Sequence, residues 1–126
     1  MGLPMKKILI VDDSKTTRQV LNFALTDAGY SVTEAIDGLD AMHCLERETF
    51  GLLISDLKMP RMDGLELTRQ VRAMPAYRYT PIIILTTESS DEMKQEGKKA
   101  GASCWIVKPF QPDQLLQVIG MSLEKK

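Results

Sequence analysis

Short runs of consecutive apolar residues constrain the fold of this chain more than any other feature. Four of them, rich in Ile, Leu and Val, lie at positions 8–11, 52–54, 82–85 and 105–107. They are too short for typical helices and are continuous rather than alternating, which is typical of strands buried on both faces of a parallel sheet. A weaker run at 30–35 alternates Val32 and Ala35 with polar residues, so we expect a strand at the sheet edge there.

Apolar residues three and four positions apart separate these runs and predict amphipathic helices that cover the sheet. In the first such segment, the positions predicted to be buried are Thr17, Val20, Leu21, Ala24 and Ala28. In the last segment they are Leu115, Leu116, Ile119 and Leu123. Strands alternating with helices in this way predict one open α/β domain over residues 1–126, with right-handed crossovers.

Capping and turn residues mark the expected helix boundaries. Residues 63–66 and 89–92 resemble capping boxes at helix starts, and Pro112 suits a first helical turn. We expect the glycines that precede strands to end helices, namely Gly29, Gly51 and Gly101.

Polar side chains follow or end four of the predicted strands. Asp12 and Asp13 follow the first, Asp56 follows the third, Thr86 ends the fourth and Lys108 follows the fifth. Open α/β sheets bind ligands beyond the carboxyl ends of their strands, where the strand order reverses. The sequence therefore predicts a site in which these side chains meet.

The three aspartates of this site predict a bound cation. Carboxylates about 4 Å apart repel each other by roughly 1 to 4 kcal/mol per pair, depending on the effective dielectric. Hard oxygen ligands without sulfur favour Mg²⁺, with Mn²⁺ as a substitute. A carboxylate can also attack phosphorus and hold a phosphoryl group as an acyl phosphate. The metal and Lys108 would then neutralise charge on the phosphoryl oxygens, and Thr86 could donate a hydrogen bond to one of them.

Taken singly, two of these residues have ordinary structural explanations. Thr86 suits a strand end or a helix cap, and Lys108 suits a lysine whose stem is buried and whose ammonium reaches solvent. The prediction of a site depends on their occurrence together at one edge of the sheet.

Composition and charge exclude several classes of protein. The 126 residues include 16 Lys and Arg, which are scattered, against 17 Asp and Glu, so we expect no direct binding to nucleic acid. No apolar stretch approaches the roughly 20 residues needed to span a bilayer, and residues 1–7 lack an apolar signal core. We expect a cytoplasmic protein without membrane insertion. Cys44 and Cys104 lack zinc spacing and are expected to be reduced and half-buried, and His43, the only histidine, is expected on a helix surface.

Five motifs occur in an order that resembles response regulator receiver domains, and the similarity covers nearly the whole chain. They are Ile10-Val11-Asp12-Asp13-Ser14, Ile54-Ser55-Asp56-Leu57-Lys58-Met59-Pro60, Met62-Asp63-Gly64-Leu65-Glu66-Leu67, Leu85-Thr86-Thr87 and Val107-Lys108-Pro109-Phe110. Among receivers, the chain is most similar to single-domain, CheY-like chemotaxis regulators. The resemblance implies a flavodoxin-like (βα)5 sandwich with a doubly wound, five-stranded parallel sheet of order 2-1-3-4-5.

The resemblance also implies a role for each site residue. Asp56 would be the phosphoacceptor. Asp13 and Asp56 would bind Mg²⁺ directly, Asp12 would act through a metal-bound water, and the main-chain carbonyl of Lys58 would complete the protein ligands. Thr86 and Lys108 would contact the phosphoryl group, and the peptide bond from Lys108 to Pro109 would be cis.

By the same resemblance, the chain would be a phosphorylation-activated signalling switch of a two-component system, with chemotaxis as its output. A histidine kinase would supply the phosphoryl group, and a phosphatase would be a further partner. The chain would not be an enzyme, although it would assist its own phosphorylation and dephosphorylation. Alternatives are a phosphorelay intermediate or phosphate sink, a receiver cut from a larger protein, a flavin-binding module and an aspartyl-nucleophile phosphatase. The phosphatase is disfavoured for two reasons. Such enzymes usually have two aspartates separated by one residue after the first strand, whereas Asp12 and Asp13 are adjacent, and they carry a cap over the site, for which 126 residues leave no length.

Some positions depart from the family pattern or invite a specific role. Trp105 stands where the family usually carries Tyr or Phe, a side chain that turns inward as the threonine moves; it would be a switch residue or a purely structural one. The fourth helix, near 90–99, contains Gly97 and should be weakly held, since an interior glycine costs about 1 kcal/mol relative to alanine. We expect the target, in one reading the flagellar switch, to bind the face formed by this helix, the strand of Trp105 and the last helix. Lys58 and Glu88 are expected at the mouth of the site, where a pair between them would tune the phosphorylated lifetime or be a solvent-screened ion pair without function.

Overall fold

The structure, a computed structural model, describes residues 6–124 and alternates strands with helices. The strands are β1 (Lys7–Val11), β2 (Ser31–Ala35), β3 (Leu52–Ser55), β4 (Ile82–Thr86) and β5 (Cys104–Val107). The helices are α1 (Lys15–Asp27), α2 (Gly38–Arg47), α3 (Gly64–Ala73), α4 (Asp91–Ala100) and α5 (Pro112–Glu124), with a short 3₁₀ helix at Pro75–Tyr77. Each apolar run is a strand, as the sequence predicts. Residues 1–5, which include most of the segment without a signal core, lie outside the described range.

The sheet is parallel throughout and has the order β2-β1-β3-β4-β5, which confirms the order implied by the resemblance. The strand order reverses at β1, which has β2 on one side and β3 on the other. In this register Val11 lies beside Ala35 of β2 and Ser55 of β3. The carboxyl ends of β1 and β3 are therefore neighbours, and the residues that follow them share one edge.

Two hydrophobic clusters fix the sheet from its two faces. One contains Leu9 and Leu53 with Leu67 and Val71 of α3, and the other contains alternate strand residues with Leu21 and Leu25 of α1 and Leu115 and Ile119 of α5. Burial of each such side chain contributes roughly 1.5 to 3 kcal/mol. The strands that carry the site thus have almost no freedom to shift.

The buried stripe predicted for the first helix is only partly right. Leu21 is buried, but Val20 is 46% exposed and the buried residue one turn on is Leu25. Successive helical residues are about 100° apart around the axis, so positions 21 and 25 share a face that position 20 does not. The sequence spacing alone allowed two adjacent stripes, and packing against the sheet selects one of them.

Most predicted helix boundaries are confirmed. Asp63 caps α3 by accepting a 2.8 Å hydrogen bond from the main-chain N–H of Glu66. The cap of α4 lies one residue later than the predicted capping box at 89–92, because Ser90 rather than Ser89 accepts from the main-chain N–H of Met93. Pro112 is the first residue of α5. Gly29 and Gly101 have φ angles of 98° and 113°, a left-handed conformation that favours glycine at helix ends.

The expectation that Gly51 ends a helix is wrong. Helix α2 ends at Arg47, and its C-cap is Glu48 in an extended conformation. The N–H of Gly51 instead donates a 2.8 Å hydrogen bond to the carbonyl of Lys7. This glycine therefore begins the pairing of β3 with β1 rather than stopping the helix.

The single histidine and the two cysteines lie outside the predicted site. His43 is exposed on α2, as expected, and Cys104 is half-buried. Cys44 is buried rather than half-buried, and this burial raises the pKa of its thiol. Every helix within residues 6–124 is too short or too polar to cross a membrane.

Candidate metal and phosphoryl site

Three carboxylates meet at the carboxyl edge of the sheet. Asp12, Asp13 and Asp56 each present an oxygen within 4.8 Å of the others. Main-chain hydrogen bonds extend the sheet into the site, because the N–H of Asp12 donates to Ala35 and the N–H of Asp56 donates to Val11. Asp12 is buried, Asp56 is half-buried and Asp13 is exposed. The cluster predicted from the sequence is therefore formed, and its three carboxylates differ in solvent exposure.

The ammonium of Lys108 lies against two of these carboxylates. Its Nζ is 3.0 Å from Oδ2 of Asp12 and 3.3 Å from Oδ2 of Asp56. The main-chain N–H of Lys108 donates to the carbonyl of Thr86, which fixes the start of the β5–α5 loop. The bond from Lys108 to Pro109 is cis, as the resemblance implied. One ammonium faces three carboxylates, so the site keeps an excess of negative charge.

Titration behaviour reflects this excess charge. Burial raises the pKa of Asp12 and the charge of Asp56 adds to the effect, against the lowering effect of Lys108 and of the Ser14 N–H, which donates to Asp12 Oδ1 at 2.8 Å. Burial by itself would lower the pKa of Lys108, but its hydrogen bonds and attraction to Asp12 and Asp56 outweigh that effect and raise it. The site therefore favours the charged form of Lys108, and ionised Asp12 is left under a penalty that a bound cation would relieve.

Thr86 occupies the predicted place at the same edge. It is the last residue of β4, is buried and pairs with Val107, the residue before Lys108. Its Oγ1 accepts a 3.3 Å hydrogen bond from the N–H of Glu88. Because the hydroxyl acts there as an acceptor, its own hydrogen remains able to bond a ligand oxygen.

The loop after β3 folds back onto the phosphoacceptor candidate. The N–H of Leu57 donates to Asp56 Oδ1 at 2.7 Å, and the N–H of Gly64 donates to the carbonyl of Leu57 at 2.8 Å. A Cβ atom added at Gly64 would overlap the carbonyl oxygen of Asp56. Gly64 is thus required by this close approach, a role that the sequence motif contains but does not reveal.

Residues that sequence reasoning gave no role support Asp12. Ser14 holds Asp12 through its main chain and caps α1 by accepting from the N–H of Thr17. Arg18 donates a 2.7 Å hydrogen bond to the carbonyl of Asp12 and pairs with Glu34 of β2. A serine directly before a helical pattern is a recognisable N-cap signal, whereas the arginine contact depends on how α1 packs and has no local signal.

Trp105 and Gly97 fit one another. The indole N–H donates a 2.9 Å hydrogen bond to the carbonyl of Glu88, in the loop that follows Thr86. A Cβ atom added at Gly97 would lie 2.7 Å from Cζ3 of Trp105. The glycine inside α4 therefore makes room for the indole, so the helix and the tryptophan form one packed unit.

Lys58 and Glu88 form no direct ion pair. Among the salt bridges of residues 6–124, none joins these two side chains. The Glu88 carboxylate accepts from the N–H of Ser90 at 3.2 Å, and that main-chain bond, more than the charge of Lys58, lowers its pKa. The expected pairing is thus at most a longer-range attraction.

Comparison with known proteins identifies a set of similar chains. The profile of the response regulator receiver domain matches residues 8–120. A CheY chemotaxis homologue of Campylobacter jejuni is 43% identical over 111 residues, which is 86% of this chain and 85% of the homologue. The structure of the chemotaxis protein CheY4 of Vibrio cholerae superimposes with a TM-score of 0.91 at 46% identity, covering 94% of this chain and 99% of its own.

A further similar structure contains a metal. The receiver domain of the sensor histidine kinase PA1611 of Pseudomonas aeruginosa has a TM-score of 0.90 and 29% identity, and the match covers 97% of this chain and 100% of that domain. A magnesium ion is coordinated in its active-site cleft.

Proposed function

This chain belongs to the response regulator receiver domain family, and from that membership we propose that Asp56 accepts the phosphoryl group of a two-component signalling switch. The arrangement around Lys108 carries the proposal. Of the two carboxylates that the ammonium contacts, the side chain of Asp12 is 3% exposed and that of Asp56 is 14% exposed. Asp56 is therefore the one within reach of a donor while still facing a fixed positive charge.

The donor set suits a hard divalent cation. Asp13 and Asp56 would supply carboxylate oxygens directly, Asp12 would act through a metal-bound water, and the main-chain carbonyl of Lys58 would complete the protein ligands. Oxygen ligands of this kind fit Mg²⁺, with Mn²⁺ as a substitute. When bound, the ion neutralises charge on the phosphoryl oxygens.

The transfer itself needs few protein groups. An oxygen of Asp56 forms a bond to phosphorus as the bond from phosphorus to a kinase histidine breaks, and the electron pair leaves on the imidazole. Lys108 stabilises the phosphoryl oxygens, and Thr86 donates its hydroxyl hydrogen to one of them. In this sense the chain assists its own phosphorylation, and the same groups position the acyl phosphate for attack by water.

The path from the site to the output surface runs through Glu88. Its N–H donates to Thr86 and its carbonyl accepts from Trp105. If the Thr86 side chain moves toward a phosphoryl group when its hydroxyl donates to it, the N–H of Glu88 is drawn away from its acceptor, and the loop between β4 and α4 rearranges to follow it. That rearrangement changes the setting of the indole, and with it the face formed by α4, β5 and α5.

The proposed partners follow from this arrangement. A histidine kinase supplies the phosphoryl group in the cytoplasm, and a target protein of the chemotaxis system, such as the flagellar switch, binds the face of α4, β5 and α5. A phosphatase that shortens the signal is a further partner. Similarity to chemotaxis proteins over most of the chain supports this output, and no specific observation favours the relay, sink or phosphatase alternatives.

The experiment that tests this function uses a small acyl phosphate with Mg²⁺. Mass spectrometry should show the addition of one phosphoryl group, and beryllofluoride should change the emission of Trp105, the only tryptophan. Asp56→Asn is the matched control and should abolish both responses. Undiminished labelling of Asp56→Asn would refute Asp56 as the acceptor.

A further inference from the structure

An ion pair joins two loops near the site without contacting the three aspartates. Nε of Arg61, in the β3–α3 loop, donates to Oδ2 of Asp37, before α2, at 2.6 Å. The Asp37 side chain is 3% exposed and that of Arg61 is 55% exposed. Oδ1 of Asp37 accepts from the N–H of Asp40 and so caps α2. Asp37 is thus nearly buried, and Arg61 is its one charged partner among the described salt bridges.

The backbone of the same loop is strained at Arg61. Its φ angle of 67° makes it the one non-glycine residue with positive φ in the part of the chain that the structure describes. For an ordinary L-residue this conformation is disfavoured, because it brings Cβ too close to the following carbonyl oxygen. Such strain persists only where the surroundings determine it. Here a 2.8 Å hydrogen bond from the N–H of Met62 to the carbonyl of Pro60 closes a tight turn around Arg61, and the bond to Asp37 holds the Arg61 side chain against the neighbouring loop.

A second contact ties the same two loops together at the backbone. The N–H of Gly38 donates to the carbonyl of Met62 at 3.3 Å. A Cβ atom added at Gly38 would lie 2.6 Å from Cβ of Met62. The loops therefore approach as closely as glycine permits, and the ion pair closes this approach from the solvent side.

The ion pair between Asp37 and Arg61 acts as a clamp on the β3–α3 loop. This loop carries a proposed metal ligand. It begins at Asp56, and Lys58 lies three residues before Arg61. On the other side of the clamp, Asp37 follows β2, whose Ala35 carbonyl accepts from the N–H of Asp12. The clamp thus fixes the loop of Lys58 relative to the strand end that holds Asp12.

We propose that Asp37 and Arg61 are positioning residues that hold the main-chain carbonyl of Lys58 in place for the metal ion. The inference rests on the proposed function, because it needs the magnesium site to exist. Neither side chain is a ligand in it. Partners that orient metal ligands typically change metal affinity by about 10- to 100-fold when they are mutated.

Charge and position give opposite predictions for Arg61. As a bare positive charge near a cation site it would weaken Mg²⁺ binding, so its removal should strengthen binding, while removal of the Asp37 charge should weaken it. As a clamp, both residues strengthen binding, and the loss of either should weaken it. The sign of the effect at Arg61 therefore separates the two roles.

The test is calorimetric titration of Mg²⁺ into the wild type, Arg61→Ala, Asp37→Asn and the double variant. We expect each single variant to bind about tenfold more weakly and the double variant to be no worse than either, since both changes break one contact. Asparagine remains a good N-cap, so Asp37→Asn keeps the cap of α2. Arg69→Ala removes the same charge from an exposed pair with Glu66 and should leave Mg²⁺ affinity unchanged.

Unfolding of each variant is also measured without metal, to detect whether alanine at position 61 impairs folding. Arg61→Gly removes the same charge but relieves the backbone strain, so it should fold more stably than Arg61→Ala, yet bind Mg²⁺ as weakly. Tighter binding in either variant, or unchanged affinity with a wild type that binds, would overturn the clamp alone. A wild type that does not bind Mg²⁺ would overturn the magnesium site and the clamp together.

Discussion

Two regions of this domain, which we call the metal side and the output side, are packed very differently. On the metal side, which consists of β1, β3 and α3, helix α3 buries Leu67 and Val71 against strands whose residues are almost all buried. On the output side, which consists of α4 and β5, helix α4 buries only Gly97 and Ala100, and every residue of β5 is partly exposed. A buried leucine or valine contributes roughly 1.5 to 3 kcal/mol, whereas glycine has no side chain to bury.

This contrast indicates a division of labour. The metal side must hold several oxygen atoms in one geometry, and its deep packing keeps them there. In the proposed switch the output side responds to a change at Thr86. Helix α4 is attached there through the burial of Ala100 and through the fit of Gly97 to the Trp105 indole, whose N–H donates to the carbonyl of Glu88. An element with so little buried apolar surface can change position at small free-energy cost.

The largest difference in stability is expected between the loss of an apolar side chain from α3 and the same loss from α4. Leu67→Ala should lower the free energy of unfolding by about 2 to 5 kcal/mol, because it leaves a cavity in the core. Met93→Ala, on the partly buried face of α4, should lower it by less than about 1 kcal/mol. Urea unfolding of both variants checks this, and equal losses would contradict the proposed difference between the two sides.

A methyl group at Gly97 tests the packed unit on the output side. Gly97→Ala should destabilise the protein by about 1 to 3 kcal/mol, because the new Cβ meets the ring of Trp105. In a Trp105→Phe background the smaller ring leaves space, and the same change should instead stabilise α4 by up to about 1 kcal/mol. A destabilisation of equal size in both backgrounds would show that the indole is not what the glycine accommodates.

Fold prediction from the sequence succeeded where one local pattern had one structural solution. Continuous apolar runs can be satisfied only by strands covered on both faces, and strand ends then determine which polar residues meet. The placement of Asp12, Asp56 and Lys108 at one edge of the sheet was therefore predictable from the sequence, and the structure brings them into contact there. The topological order came from the resemblance, since apolar patterns do not encode which strand lies beside which.

Prediction failed where tertiary packing chose between local alternatives. Val20 and Leu25 fit two possible stripes of one helix, and Gly51 fits either a helix end or a strand start. The bond between Asp37 and Arg61 joins residues 24 positions apart, and no local sequence pattern predicts that these two residues pair. Lys58 and Glu88 were expected to pair because both flank the site, but main-chain donors near Glu88 compete for its carboxylate.

The pH dependence of stability tests the charge imbalance on the metal side. The pKa of Asp12 is raised above its ordinary value of 3.8, so the stability linked to this group is full below that pH and decreases as pH rises through the folded-state pKa. Without metal, Asp12→Asn should therefore gain stability relative to the wild type as pH rises from acid to neutral. Saturating Mg²⁺ should reverse the order at neutral pH by stabilising the ionised wild type. A difference that does not vary with pH would contradict the penalty on ionised Asp12.

The smallest effect on stability, and the most selective effect on lifetime, is expected at the mouth of the site. Lys58→Ala with Glu88→Ala should change the free energy of unfolding by less than about 0.5 kcal/mol, because the two side chains form no direct ion pair. The decay rate of the phosphorylated protein should nevertheless change if these residues hinder the water that attacks the acyl phosphate, since Lys58 lies two residues after Asp56 and Glu88 two residues after Thr86.

That decay can be followed after removal of excess acyl phosphate, with Arg69→Ala as a surface control. An unchanged decay rate in the double variant would show that the mouth of the site does not govern water access. Control of lifetime would then belong to the site itself, where Thr86 and Lys108 are proposed to contact the phosphoryl group.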